Sequence, residues 1–136
     1  MTTKAEHNKA FVLEYLEKFA TFDPEQYDPY LAENPTYKAG MHISQGRDAF
    51  HANTRAGQIL YPKPNEATPE IHAVLADGDW VAILVTRTAV TNKGEDYENI
   101  HGLFFEVRDD KIHTQVELLD FRVAEAKFDL TARRDG

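Results

Sequence analysis

His101 and Glu117 are the two side chains in this 136-residue sequence whose types and spacing could do chemistry together. Tyr97 to Val107 and Lys111 to Val123 read as strands joined at Asp109-Asp110, a tight turn. Antiparallel pairing across that turn brings His101 opposite Glu117 or one pair diagonal to it, with β-carbons roughly 5 to 8 Å apart. An imidazole beside a carboxylate in an apolar cavity is a general way to build a base, the carboxylate fixing the tautomer and favouring the imidazolium. The plainer account is a strand histidine and glutamate that only pair at a sheet edge.

Other chemistries find less support. His7, His42, His51, His72, His101 and His113 show no HExxH or other compact ligand spacing, so no metal site is expected. Ser44 is the single serine and lacks a nucleophile-elbow context. Neither GxGxxG nor GxxxxGK[ST] is present to cradle phosphates. His51 and Arg55, four apart in a helical stretch, read as exposed partners of an acidic surface. Arg87, on a long strand, could bind an anion, but pattern alone leaves its face open.

Composition narrows the field further. The absence of cysteine removes disulfides, thiolate metal sites and cysteine nucleophiles. Twenty-three acids against fifteen bases leave a net charge of −8 with the bases scattered, which argues against nucleic acid as a partner. No run approaches the roughly 20 apolar residues of a membrane span, and the first residues lack a signal peptide's apolar stretch. The expectation is a cytoplasmic protein with one domain over residues 1–136, a core over 5–123 and a loose tail over 124–136.

The elements that must position these residues follow from periodicity. Thr3 and Glu6 have capping-box spacing, and Phe11, Val12, Tyr15, Leu16, Phe19 and Ala20 form an apolar stripe on a helix to about Ala20. Asp23-Pro24-Glu25-Gln26 starts a second helix, expected to run to about Glu33 before Asn34-Pro35. Thr36 to His42 reads as extended, Gly46-Arg47-Asp48-Ala49-Phe50 as the entry to a third helix reaching about Ile59, and Tyr61-Pro62-Lys63-Pro64-Asn65 as a loop. Glu70 to Leu75 and Trp80 to Val90 form a hairpin around Asp77-Gly78-Asp79. Helices first and an antiparallel meander afterwards is the order of an α+β domain.

Several stretches together resemble the SnoaL-like, ketosteroid isomerase-like branch of the nuclear transport factor 2-like superfamily. They are the aromatic first helix, Gly46 to Phe50, Ala76-Asp77-Gly78-Asp79-Trp80-Val81-Ala82, Phe104 to Ile112, and Leu118-Leu119-Asp120. The resemblance covers roughly residues 5 to 123. It implies a cone: a strongly bent mixed or antiparallel sheet around a deep pocket, covered by three N-terminal helices, usually as a homodimer through the sheet. Both faces of the last two strands carry apolar groups. The resemblance selects the odd-numbered face, with Asn99, His101, Leu103, Phe105, Gln115, Glu117 and Leu119, as the pocket side.

The resemblance also gives Tyr15 the place of a first-helix tyrosine that donates to an oxyanion, while Ala39 and Leu103 stand where the isomerase has its two aspartates. That departure argues against classical steroid isomerisation. An Arg and Asp pair of the limonene epoxide hydrolase kind has no match, which makes hydrolysis a minor alternative. The function this implies is a cofactor-independent lyase or isomerase using general acid–base chemistry on a hydrophobic aromatic, polyketide-like or steroid-like molecule with hydroxyl or carbonyl groups. His101, Glu117 and Tyr15 are its catalytic candidates. Tyr37 and His42 at the cone's mouth, Phe11, Phe19, Trp80, Leu103 and Phe105 on the apolar wall, and Asn99, Gln115 and Leu119 are its substrate-binding candidates. The rival is a non-catalytic ligand-binding or dimerisation module.

Overall fold

The computed structural model describes residues 2–62 and 68–132. Helix α1 (Lys4–Phe19) starts where the capping spacing predicts, with the Thr3 side chain accepting from the Glu6 amide. The short helix α2 (Pro24–Tyr27) is capped by Asp23 and continues into a single 3-10 turn (Asp28–Tyr30). Strands β1 (Leu31–Ala39) and β2 (His42–Gln45) precede helix α3 (Arg47–Leu60). Then come β3 (Thr68–Asp77), β4 (Trp80–Val90), β5 (Asp96–Arg108), β6 (Lys111–Leu119) and helix α4 (Phe121–Lys127). Residues 63–67, which include the last three positions of the expected loop from Tyr61 to Asn65, lie outside the described residues.

The six strands form one curled, unclosed sheet in the order β2-β1-β6-β5-β4-β3, parallel between β1 and β6 and antiparallel elsewhere. This is a mixed α+β fold. Asp109 and Asp110 both adopt positive φ, 53° and 55°, which gives the β5–β6 turn the twist that matches its strands. The result is alternation along β5, with Tyr97, Asn99, His101, Leu103, Phe105 and Val107 buried on the concave side.

Two expectations need correction. The second helix does not reach Glu33: from Leu31 the chain is strand, because Leu31 and Ala32 are buried and Leu31 pairs with Ile112 of β6. A register shift between Leu31 and Thr36 accommodates Pro35, a residue that cannot donate to a ladder. At the other end, the last strand stops at Leu119 rather than Val123, and part of the supposed loose tail is helical. The Asp120 carboxylate accepts from the Arg122 and Val123 amides, starting α4. Ala124 and Phe128 then pack on Tyr97 in a small core of their own.

The main core fills one end of the cone. Tyr15, Tyr27, Phe50 and Phe105 are fully buried there, with Tyr15 lying edge-on to Tyr27 and Phe105 at ring-centroid distances of 6.5 and 5.9 Å. Helix α1 lies over β3 and β4, α3 over β1, and α4 over β5, so the helices cover the concave face. At Gly57 on α3 a side chain would meet the Phe22 ring at 2.5 Å; glycine lets α3 close on the turn after α1.

Candidate active site

Beyond that core the cone is hollow. A cavity of about 300 Å³ opens between the concave sheet, the C-terminal end of α1, α3 and α4, a volume suited to a small-molecule site. The strands supply Tyr37, Arg87, Tyr97, His101, Leu103, Gln115, Glu117 and Leu119, and the helices supply chiefly apolar groups such as Leu16, Phe19 and Phe121.

The polar groups form a connected chain. The Glu117 carboxylate accepts from His101 Nδ1 at 2.9 Å through one oxygen and from the Tyr37 hydroxyl at 2.9 Å through the other. His101 Nε2 lies 3.3 Å from the Tyr97 hydroxyl, which accepts a hydrogen bond of 2.7 Å from the Asn99 amide. Asn99 also donates to the Asp120 carbonyl, tying this chain to the start of α4. His101 is 3% and Glu117 21% exposed.

Electrostatics sort these groups into roles. Burial alone would push the Glu117 carboxyl up. The His101 hydrogen bond, the Arg87 charge and the Tyr37 hydroxyl outweigh it and hold the group at about 2. Glu117 is therefore an anion at any ordinary pH, too weak a base to keep a proton but well suited to orient an imidazole. Burial pushes the Tyr97 phenol up to about 12 despite the Asn99 bond. Tyr37 is raised well above its usual value by burial and by the Glu117 charge. Both stay protonated and serve as donors.

Of the sequence candidates, the structure brings His101, Glu117, Tyr37, Phe19, Leu103, Gln115 and Leu119 to the cavity wall. Tyr15 is held back from it: its hydroxyl is fully buried and donates to Gln115 Oε1 at 2.5 Å. Phe105 lies beneath Tyr15, and Phe11 packs on Tyr30, both in the filled end of the cone. Asn99 sits behind Tyr97 rather than at the wall. His42 is exposed on the edge strand β2. Trp80 is 42% exposed on the convex face, because β4 pairs Val81 with Phe105 and thereby sets Trp80 opposite the outward Glu106.

Tyr97, Arg87, Tyr61, Phe121 and Phe128 line the cavity without having been singled out as pocket residues. Tyr97 was within reach of the sequence: it stands four positions before His101 on one strand and so shares its face. Phe121 and Phe128 needed α4 to be recognised.

Comparison with known proteins agrees with this architecture. Residues 12–114 match the family model described as SnoaL-like domain. The chain belongs to that family. Among solved structures this SnoaL-like chain is similar to a protein of Jannaschia sp. CCS1, provisionally described as a SnoaL-like polyketide cyclase, with a TM-score of 0.81 at 12% identity over 93% of this chain and 94% of that one. An NTF2-like protein of Anabaena variabilis gives 0.78 at 17% identity, covering 95% and 98%. A protein of Kribbella flavida, provisionally described as a ketosteroid isomerase, gives 0.69 at 21%, covering 87% and 81%. At these identities the likeness is one of fold. No curated protein matches the chain in sequence. No helix among the described residues is long and apolar enough to cross a membrane.

Proposed function

We propose that this SnoaL-like protein is a cofactor-independent enzyme, a lyase or isomerase, that moves a proton on a hydrophobic ring-containing molecule bearing a hydroxyl or carbonyl group. The observation that carries this reading is the 2.9 Å contact of His101 with Glu117 at the wall of the cavity. A buried imidazole with one nitrogen fixed by a carboxylate has the other available for chemistry.

The hydrogen-bond chain supplies both halves of a proton transfer. With His101 neutral, Nδ1–H donates to Glu117 and bare Nε2 accepts from the Tyr97 hydroxyl. When Nε2 takes a proton from substrate carbon or oxygen, it becomes a donor. The Tyr97 oxygen then accepts from both His101 and Asn99, and its own O–H turns toward the cavity. There it stabilises the negative charge left on a substrate oxygen. Glu117, ionised throughout, offsets the imidazolium charge. Return of the proton to a different atom gives isomerisation; return after C–C or C–O cleavage gives a lyase.

Solvent exchange tests this without a known substrate. Cyclic ketones and hydroxylated aromatic ketones incubated in D₂O should exchange their acidic C–H faster with protein present. His101→Gln should lower that acceleration by about 10² or more. A protein that binds such ligands without accelerating exchange would act as a binding module instead.

We further infer that the protein is a homodimer through the outer face of the sheet. Leu75, Trp80, Leu84, Ile100, Phe104 and Leu118 are between 37% and 66% exposed there. Contiguous apolar surface of this kind favours burial against a partner, and a second copy supplies the same surface.

A further inference from the structure

The cavity wall carries a cation that takes no part in the proton-transfer chain. Arg87 continues the inward face of Val81, Ile83 and Val85 on β4 and lines the cavity. Its guanidinium carbon lies 5.7 Å from the centre of the Tyr61 ring. Among the described residues no carboxylate comes within 4 Å of it. The Tyr61 hydroxyl is near enough to act as an acceptor for one guanidinium N–H, a neutral partner that leaves the charge uncompensated. Glu117 attracts Arg87 only at longer range, since its oxygens are engaged by His101 and Tyr37.

A partly desolvated guanidinium with no carboxylate beside it among the described residues is costly unless an anion completes it. Its planar fork fits a carboxylate through two parallel hydrogen bonds, and its face already rests on an aromatic ring. Position sets what else such a ligand must have. The β4–β5 register sets Val85 opposite His101 and Arg87 opposite Asn99, so Arg87 lies diagonal to His101 on the same face. Diagonal neighbours are roughly 7 to 8 Å apart, about the width of a ring with its substituent. Charge fits too: Arg87 and Glu117 cancel, and a ligand anion would be balanced by the proton that His101 takes up.

We propose that the cavity accepts an aromatic or alicyclic carboxylate, its acid group clamped by Arg87 and its reacting atom presented to His101 on the far side of the ring. The choice of reacting end rests on the proton-transfer reading above; the carboxylate preference does not.

Calorimetric titration of the full chain with 2-naphthoate and with 2-naphthamide separates charge from shape. The carboxylate should bind about tenfold tighter or better. Arg87→Met should abolish that preference, and His101→Gln should keep it. Equal affinity of the two ligands for the wild-type protein overturns the proposal even if Arg87→Met does not fold. So does a preference that survives Arg87→Met, or a wild-type protein that takes up neither 2-naphthoate nor cyclohexanecarboxylate. A carboxylate preference alongside unchanged proton exchange in His101→Gln would remove the base and leave the clamp.

Discussion

His101 and Glu117 stand one pair apart across β5 and β6, not opposite each other: Leu103 faces Glu117 and His101 faces Leu119, yet Nδ1 and Oε1 meet at 2.9 Å. The diagonal matters because it leaves Leu103 beside the carboxylate, apolar and at the cavity wall. His101 thus presents its second nitrogen toward Tyr97.

Removing either partner should be felt in turnover. Glu117→Gln keeps shape but loses the charge that supports the imidazolium, and should lower proton exchange by about 10². Exchange rates of the variant equal to wild type would take Glu117 out of the mechanism.

Acid should find the same carboxylate. Its folded-state value of about 2 lies below the ordinary 4.5, so its contribution is fully present above about pH 5 and is lost as pH falls toward 2. A shift of this size corresponds to roughly 3 kcal/mol. Urea unfolding of the wild type should weaken over that interval, and Glu117→Gln should flatten the decline. Parallel curves for the two proteins would contradict the assignment.

Tyr15 is expected to act on stability. Tyr15→Phe strands the buried Gln115 oxygen, which should cost about 1 to 3 kcal/mol. Thermal or urea unfolding reads this directly; an unchanged midpoint would mean that the bond contributes nothing.

The convex sheet face gives a prediction of its own. Sedimentation should show a dimer for the wild type, and Phe104→Glu, which sets a charge within the apolar patch, should shift it to monomer. A monomeric wild type would leave that face without the partner inferred for it.

Much of the architecture was legible because its signals are local. Thr3 and Asp23 cap helices, Asp77-Gly78-Asp79 and Asp109-Asp110 close hairpins, and strict alternation on β5 gathers one face. The second helix was overextended because Leu31 and Ala32 suit a helix equally well and become strand only through pairing with β6, eighty residues away. Helix α4 was hidden by its polar surroundings, although Asp120 is an ordinary cap. Within the site, alternation groups His101 with Leu103 and Gln115 with Glu117, but only the family resemblance turns that face to the cavity; Trp80 lies outward because β4 pairs it with Glu106. Tyr15, Phe11 and Phe105 were misjudged for a different reason: alternation reports which side of the sheet a residue faces, and cannot tell the filled end of a cone from its hollow end.

Whether His101 is the base is decided by its tautomer, which long-range ¹H–¹⁵N correlation on the ligand-free protein at neutral pH reads. As the base, His101 in its neutral form must carry its proton on Nδ1, against Glu117, with Nε2 bare. A proton on Nε2 and none on Nδ1 would leave two acceptors facing each other at 2.9 Å, and would contradict the assignment of His101 as the base.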